Sequence, residues 1–233
     1  MKLQVHTNAD MSHQNSIYFK TKLFLDSLKN NGIKPTIDKI YQRVNYKIKG
    51  IDFSTQNLHD LTLVGNYKNN GTALVSTSKD FFYKVFFDFE KELNQKIKRE
   101  TFIDFGSGKG AVLIHANSIG FKKSIGVEFA KELHEKAIIN IQKLKLSNTI
   151  SLHQDATTFD LPIDTSVIYL FNPFDEIVMK KVVQNIINQK DNFLHGVYII
   201  YVRPVCSDIL KEHFKLLYTK KYPSGAVVNY YKV

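Results

Sequence analysis

From Thr101 onward, short apolar runs alternate with stretches of helical spacing. TFIDF, KSIGV, TISLH, VIYLF and VYIIYV read as strands, and AVLIHANSI, KELHEKAIINIQKL and EIVMKKVVQNIINQ as the helices between them. This rhythm predicts a parallel sheet covered on both faces. Two further β-rich runs, HFKLLYTKKY and AVVNYYKV, are joined by PSG, a turn signal. They predict a closing antiparallel pair.

The first hundred residues lack that alternation. SIYFKTKLFLDSLKNNGI has helical spacing, with Gly32 as its C-terminal stop. NLHDLTLVGNYKNNGTALVSTS is rich in Gly, Asn, Ser and Thr and reads as a loop-bearing segment. In SKDFFYKVFFDFEKEL, the residues Phe81, Phe82, Val85, Phe86, Phe89 and Leu93 share one broad helix face. Asp80, Asp88, Glu90 and Glu92 argue against an anionic membrane surface, so this helix is expected to dock on the core. The predicted fold is α/β: a Rossmann-like doubly wound sheet, mostly parallel with an antiparallel C-terminal strand, over residues 96–233. A mainly helical extension, residues 1–95, is expected to recognise substrate or act as a lid.

Composition narrows the class. With 43% hydrophobic residues in 233, the chain can build one large domain or a domain with an extension. Charged residues, at 23%, exclude wholesale disorder. No apolar run approaches the roughly 18 residues that read as a membrane helix. The N-terminal MKLQVHTNAD has no apolar stretch of a secretory signal. Cys206 is the single cysteine, and no Cys/His group has zinc-ligand spacing. The expectation is a cytoplasmic protein with no membrane and no metal. The net charge of +10 permits a nucleic-acid partner. However, the lysines are scattered, and arginine, the better phosphate fork, occurs only at Arg43, Arg99 and Arg203.

The chemistry is concentrated where TFIDF runs into GSGKG. A strand that ends in a glycine turn and feeds a helix aims bare backbone and a positive dipole end at the crevice beyond the sheet. A phosphate-binding P-loop requires G-x-x-x-x-G-K-[ST]; here no upstream glycine fits and Ala111 carries no hydroxyl. A dinucleotide turn requires G-x-G-x-x-G, and Gly106, Gly108 and Gly110 miss it by one position. Asp104, just before the first glycine, would repel a pyrophosphate but suits a cofactor bearing an ammonium and a sulfonium. Glu128 ends the second strand, where a carboxylate accepts from ribose hydroxyls. Asp155 follows the third strand, placed to accept from an adenine amine, with the Ala156 amide donating to the ring. Asn172, Pro173 and Phe174 follow the fourth.

These four strand ends together resemble class I S-adenosylmethionine-dependent methyltransferases. DFGSGKG is similar to their first motif, GVEFAKELHEKAIINI to their second strand and helix, HQDATTF to their adenine-binding turn and YLFNPF to their fourth-strand motif. More narrowly, the chain resembles a bacterial group of unassigned substrate with a GSGKGR, GVEF and NPF pattern, and the turn is also similar to that of Dot-type protein-lysine methyltransferases. Ala111 stands where that group often has arginine. The resemblance implies S-adenosyl-L-methionine as cofactor, held by Asp104, Gly106, Ser107, Gly108, Gly110, Glu128, Phe129, Asp155 and Ala156. It implies that the Asn172 side-chain oxygen and the Pro173 carbonyl accept hydrogen bonds from a target amine, with Phe174 stacking on the target or walling the pocket. A protein lysine is the first expected substrate, RNA or DNA the second. A nicotinamide oxidoreductase and a non-catalytic cofactor-binding module are the other readings.

The remaining groups have plainer expected roles. Lys109 reads as a bystander reaching solvent from the turn, and Cys206 as inert. His59, His115, His134, His153 and His195 show no nucleophile pairing. Tyr67 sits in a polar loop of the sort that closes over sites.

Overall fold

The computed structural model describes residues 32–54, 61–62 and 76–233, together with Leu25. The chain divides into two compact units, Met1–Ile51 and Asp52–Val233. In the first, helix α1 spans Ile33–Ile48. The described helix begins just after Gly32, and the sequence pattern did not anticipate it. Gly32 has φ 84° and precedes the first turn. Pro35 falls in that turn, where its missing N–H costs nothing. The helix expected ahead of Gly32, Leu25 apart, lies outside the described residues, as does most of the polar loop with Tyr67 and His59.

The second unit is built on a seven-stranded sheet. Its strands are β1 (Thr101–Phe105), β2 (Lys123–Glu128), β3 (Thr149–His153), β4 (Thr165–Phe171), β5 (Tyr198–Val202), β6 (Lys215–Lys221) and β7 (Val227–Lys232). The order is β3-β2-β1-β4-β5-β7-β6. The first five are parallel, β7 runs antiparallel to β5, and β6 pairs antiparallel with β7. The predicted doubly wound architecture and its closing hairpin are therefore as expected, including the five strand positions. The chain order reverses at β1, which puts the switch point between β1 and β4.

Among the described residues, five α-helices accompany the sheet: α2 (Lys79–Leu93), α3 (Ala111–Ser118), α4 (Lys131–Lys143), α5 (Glu176–Gln189) and the short α6 (Ser207–Lys211). Period-2 alternation sorts the core into two layers. Phe102, Val167, Tyr169, Ile200 and Tyr230 face Phe82, Val85, Phe86 and Phe89 of α2. Ile103, Phe105, Ile168, Ile199 and Tyr201 share the opposite layer with Val178, Met179 and Val182 of α5. Each such aromatic, fully buried, contributes about 1.5–3 kcal/mol.

Helix α2 thus belongs to the core, as its moment predicts. Ser78 starts it by accepting from the Phe81 amide at 3.3 Å, and Asn94 closes it in the left-handed region. The compact unit Asp52–Val233 holds both α2 and the sheet.

Candidate active site

The glycine turn follows β1 directly. Gly106 and Gly108 take left-handed φ of 76° and 53°. The Gly106 amide donates to the Val127 carbonyl at 2.9 Å, tying the turn to the end of β2. The Gly110 amide donates to Ser107 O at 2.9 Å and leads into α3. Ser107 is buried, and its hydroxyl has no hydrogen-bond partner among the described residues.

Two acids flank this turn. Asp104 is 3% exposed on the face of β1 that looks toward α2, in register with Gly126 on one side and Tyr169 on the other. Gly126 has no side chain because Ser107 and Leu113 occupy that space: a β-carbon there would lie 2.6 Å from Ser107 Cβ and 2.7 Å from Leu113 Cδ1. Among the described residues no donor bonds to the Asp104 carboxylate. Burial first, and the nearby Glu128 charge second, hold its pKa well above the usual carboxylate range. Burial and the Asp104 charge also push the Tyr169 phenol up, so it stays protonated.

Glu128 is equally buried but better served. It accepts from the Gly108 amide at 2.7 Å and from the Ala130 amide at 2.9 Å. Burial outweighs those bonds and pushes its pKa up to about 7. Phe129 follows it, half-buried, and the Phe129 carbonyl accepts from His153 Nε2 at 3.2 Å.

The expected adenine side assembles next to Glu128. The Gln154 amide donates to the Glu128 carbonyl at 3.1 Å, which brings the turn after β3 against the end of β2. Asp155 accepts from both the Thr157 amide and the Thr157 hydroxyl at 2.8 Å, and so caps the short 3₁₀ turn Ala156–Thr158. Ala156 is buried.

After β4 the chain turns sharply. Asn172 has φ 42°, a left-handed conformation that asparagine tolerates better than most residues. Pro173 packs against the glycine turn: a β-carbon on Gly106 would lie 2.6 Å from Pro173 Cβ. Phe174 is placed differently from expectation. It is 6% exposed and sits in the α5-side core with Ala156, Phe159 and Met179, so it neither walls the pocket nor presents a stacking face. Phe171, one strand position before Asn172, lines the pocket instead, with the Arg203 guanidinium 5.4 Å over its ring.

That pocket, about 30 Å³, is bounded by Asp104, Gly106, Ser107, Lys109 and Phe171 from the sheet and turn, and by Phe53, Ser76 and Thr77 from the segment preceding α2. The last three went unnoticed in the sequence. His115 holds the Thr77 stretch, donating from Nε2 to the Thr77 carbonyl at 3.2 Å; burial drives its pKa down to about 4.

Lys109 is not the solvent-reaching bystander expected. It is 5% exposed, with its ammonium 2.9 Å from Asp52 Oδ2 and 3.1 Å from Ser54 Oγ. Asn140 of α4 joins them, donating to both the Asp52 and Lys109 carbonyls at 3.0 Å. Asn140 was legible in hindsight: it falls on the buried stripe Leu133, Ala137, Asn140, Ile141 of an amphipathic helix, where a polar residue needs a partner.

A family model described as "Conserved hypothetical protein 95" matches residues 83–231. The chain belongs to this family. The matched region of Conserved hypothetical protein 95 takes in β1 to β7, with both acids and the Asn172 turn, and leaves Phe53, Ser76 and Thr77 outside it. No curated protein sequence matches the chain. Among solved structures, a SAM-dependent methyltransferase from Aquifex aeolicus is similar at 17% identity and TM-score 0.50, over 68% of this chain and 100% of that one. The pyocyanin biosynthetic protein PhzM is similar at 10% identity and TM-score 0.52, over 65% of this chain and 55% of that one. At these identities the likeness establishes the fold that this family member shares with them.

The residues present fit S-adenosylmethionine. A buried carboxylate that no donor reaches among the described residues suits the cofactor's amino cation, a second carboxylate lies one strand over, and the glycines of the turn between them present bare backbone. Among the described residues no group of His, Cys, Asp and Glu has the makings of a metal site. Among the same residues, no helix is long and apolar enough to cross a membrane.

Proposed function

We propose that the chain is an S-adenosylmethionine-dependent methyltransferase acting on an amine nitrogen, with a protein lysine side chain as acceptor. The observation that carries the cofactor assignment is Asp104. An ionisable group so buried and so poorly served is costly unless a partner of opposite charge completes it. The amino group of the cofactor supplies that charge, whereas a dinucleotide pyrophosphate would raise the cost.

Asp104 would hold the amino end, Glu128 the ribose hydroxyls, and Asp155 with the Ala156 amide the adenine. The bound cofactor supplies an electrophilic methyl on a sulfonium. The protein's part is to orient the acceptor and exclude water, because an in-line displacement is governed by proximity. Asn172 Oδ1 and the Pro173 carbonyl are the acceptors that would fix an amine with its lone pair toward the methyl. The left-handed turn at Asn172, braced by Pro173 against Gly106, would hold those acceptors in place. A slender amine reaching past the aromatic walls Phe53 and Phe171 is the reading these walls suit best.

The net charge of +10 supports a second reading, in which the amine belongs to RNA or DNA. Calorimetric titration with S-adenosylhomocysteine, against NADH as control, tests the cofactor. Micromolar binding of the first and none of the second is expected. Labelled-methyl transfer into protein and into RNA and DNA, run in parallel, then distinguishes the acceptors. Label in nucleic acid alone would displace the lysine reading.

A further inference from the structure

The segment Asp52–Ser54 precedes the family-matched region by some thirty residues' worth of chain, roughly 100 Å if extended, yet it is bonded directly to the glycine turn. The bonds are specific. Lys109 Nζ reaches Asp52 Oδ2 at 2.9 Å and Ser54 Oγ at 3.1 Å. Asn140 Oδ1 accepts from the Asp52 amide at 3.1 Å, while its Nδ2 donates to the carbonyls of Asp52 and Lys109. Asp52 also accepts from the Ser54 amide at 2.8 Å, which folds the tripeptide into a local turn. Phe53 stands at the centre of that turn and lines the pocket that contains Asp104.

Burying a lysine ammonium and ordering its long stem are both unfavourable. A turn lysine with no task would extend into water. Here it is 5% exposed, while its partner Asp52 is 37% exposed. The charge has therefore been drawn inward toward the turn. Two hydrogen bonds from one ammonium bracket Phe53 on both sides, so the ring's position depends on Lys109 although the two are far apart in sequence.

We propose that Lys109 is a positioning residue for the cofactor: by pinning Asp52 and Ser54 it fixes Phe53 as a wall of the small pocket beside Asp104, where the cofactor's amino end would sit. This rests on the cofactor reading above. It adds a part of the site that lies outside residues 83–231, and it makes cofactor affinity depend on Lys109 through the position of Phe53.

The test is a double-mutant cycle on S-adenosylhomocysteine affinity, measured by calorimetry on the full chain. Lys109→Met and Phe53→Ala are each expected to weaken binding about tenfold. The double variant is expected to be no weaker than Phe53→Ala alone, because Lys109 acts through that ring. A merely structural lysine would give additive losses, and additivity would overturn the proposal. Asp52→Asn, on the more exposed partner, provides a second cycle with Phe53→Ala should Lys109→Met fold poorly. Its loss should likewise vanish in the Phe53→Ala background. Wild-type protein that binds S-adenosylhomocysteine while Lys109→Met and Asp52→Asn bind equally well would overturn the latch alone. Wild-type protein that does not bind would overturn the cofactor reading, and the pocket role with it.

Discussion

Gly106 and Pro173 come from different strand ends, yet they touch so closely that a β-carbon on the glycine would stand 2.6 Å from the proline's. The contact joins the turn expected to hold the cofactor to the turn expected to hold the acceptor. It fixes the spacing of the two sides of the crevice.

Gly106→Ala meets both that clash and a φ of 76°. Strain and overpacking together should destabilise the fold by about 2–4 kcal/mol. Thermal denaturation should show a Tm lower by roughly 5 °C or more, since 1 kcal/mol corresponds to about 2–4 °C in a chain of this size. An unchanged Tm would mean that Pro173 yields easily and is no brace.

Asp104→Asn separates function from stability. Without ligand the carboxylate is buried and has no donor among the described residues, so neutralising it should raise the Tm of the free protein. The same change should weaken S-adenosylhomocysteine at least tenfold, about 1.4 kcal/mol. A variant that loses both stability and affinity would show that Asp104 is a structural acceptor.

Glu128 gives a pH dependence with a definite sign. Its folded pKa of about 7 lies above its ordinary value of 4.5. Between those values the folded state holds more protons than the unfolded one, so stability should fall as pH rises through the window. Subtracting the stability profile of Glu128→Gln from that of the wild type should isolate this slope. Ribose hydroxyls need the ionised acid, so cofactor affinity should rise with pH up to about 7 in the wild type and stay flat in the variant. The opposite slope would come from His115, whose pKa of about 4 makes the fold lose stability as pH falls from 6.5.

Asn172→Ala should lower methyl transfer far more than S-adenosylhomocysteine affinity, since Asn172 faces the acceptor in the proposed mechanism. Equal losses in both would move Asn172 into the cofactor site. Asn172→Gly, which keeps the left-handed turn at no steric cost, should behave like alanine in transfer but retain wild-type stability.

Much of this architecture was legible because it is local. Strand and helix periods over residues 101–233 express burial on one or both sides of a sheet, and burial writes itself into spacing. The glycine turn, the acids at successive strand ends and the Asn172 turn were readable for the same reason: each lies at the end of its strand or within two residues beyond it, and the parallel topology carries all of them to one edge. The aromatic face of α2 predicted a docked helix, because six apolar groups on one side leave few alternatives.

What only the tertiary structure decided is how distant residues meet. Whether Phe171 or Phe174 walls the pocket depends on which side of the sheet each ring takes after a sharp turn, and the α5-side core claims Phe174. Asp104 became unusual only when it proved to be buried with no donor bonded to it among the described residues. Lys109 looked like any turn lysine until Asp52 and Asn140, from opposite sides of it in the chain, closed around its ammonium and carbonyl. Sequence records what each residue must hide from water. It does not record which distant partner does the hiding, because that choice is made by packing and long-range closure.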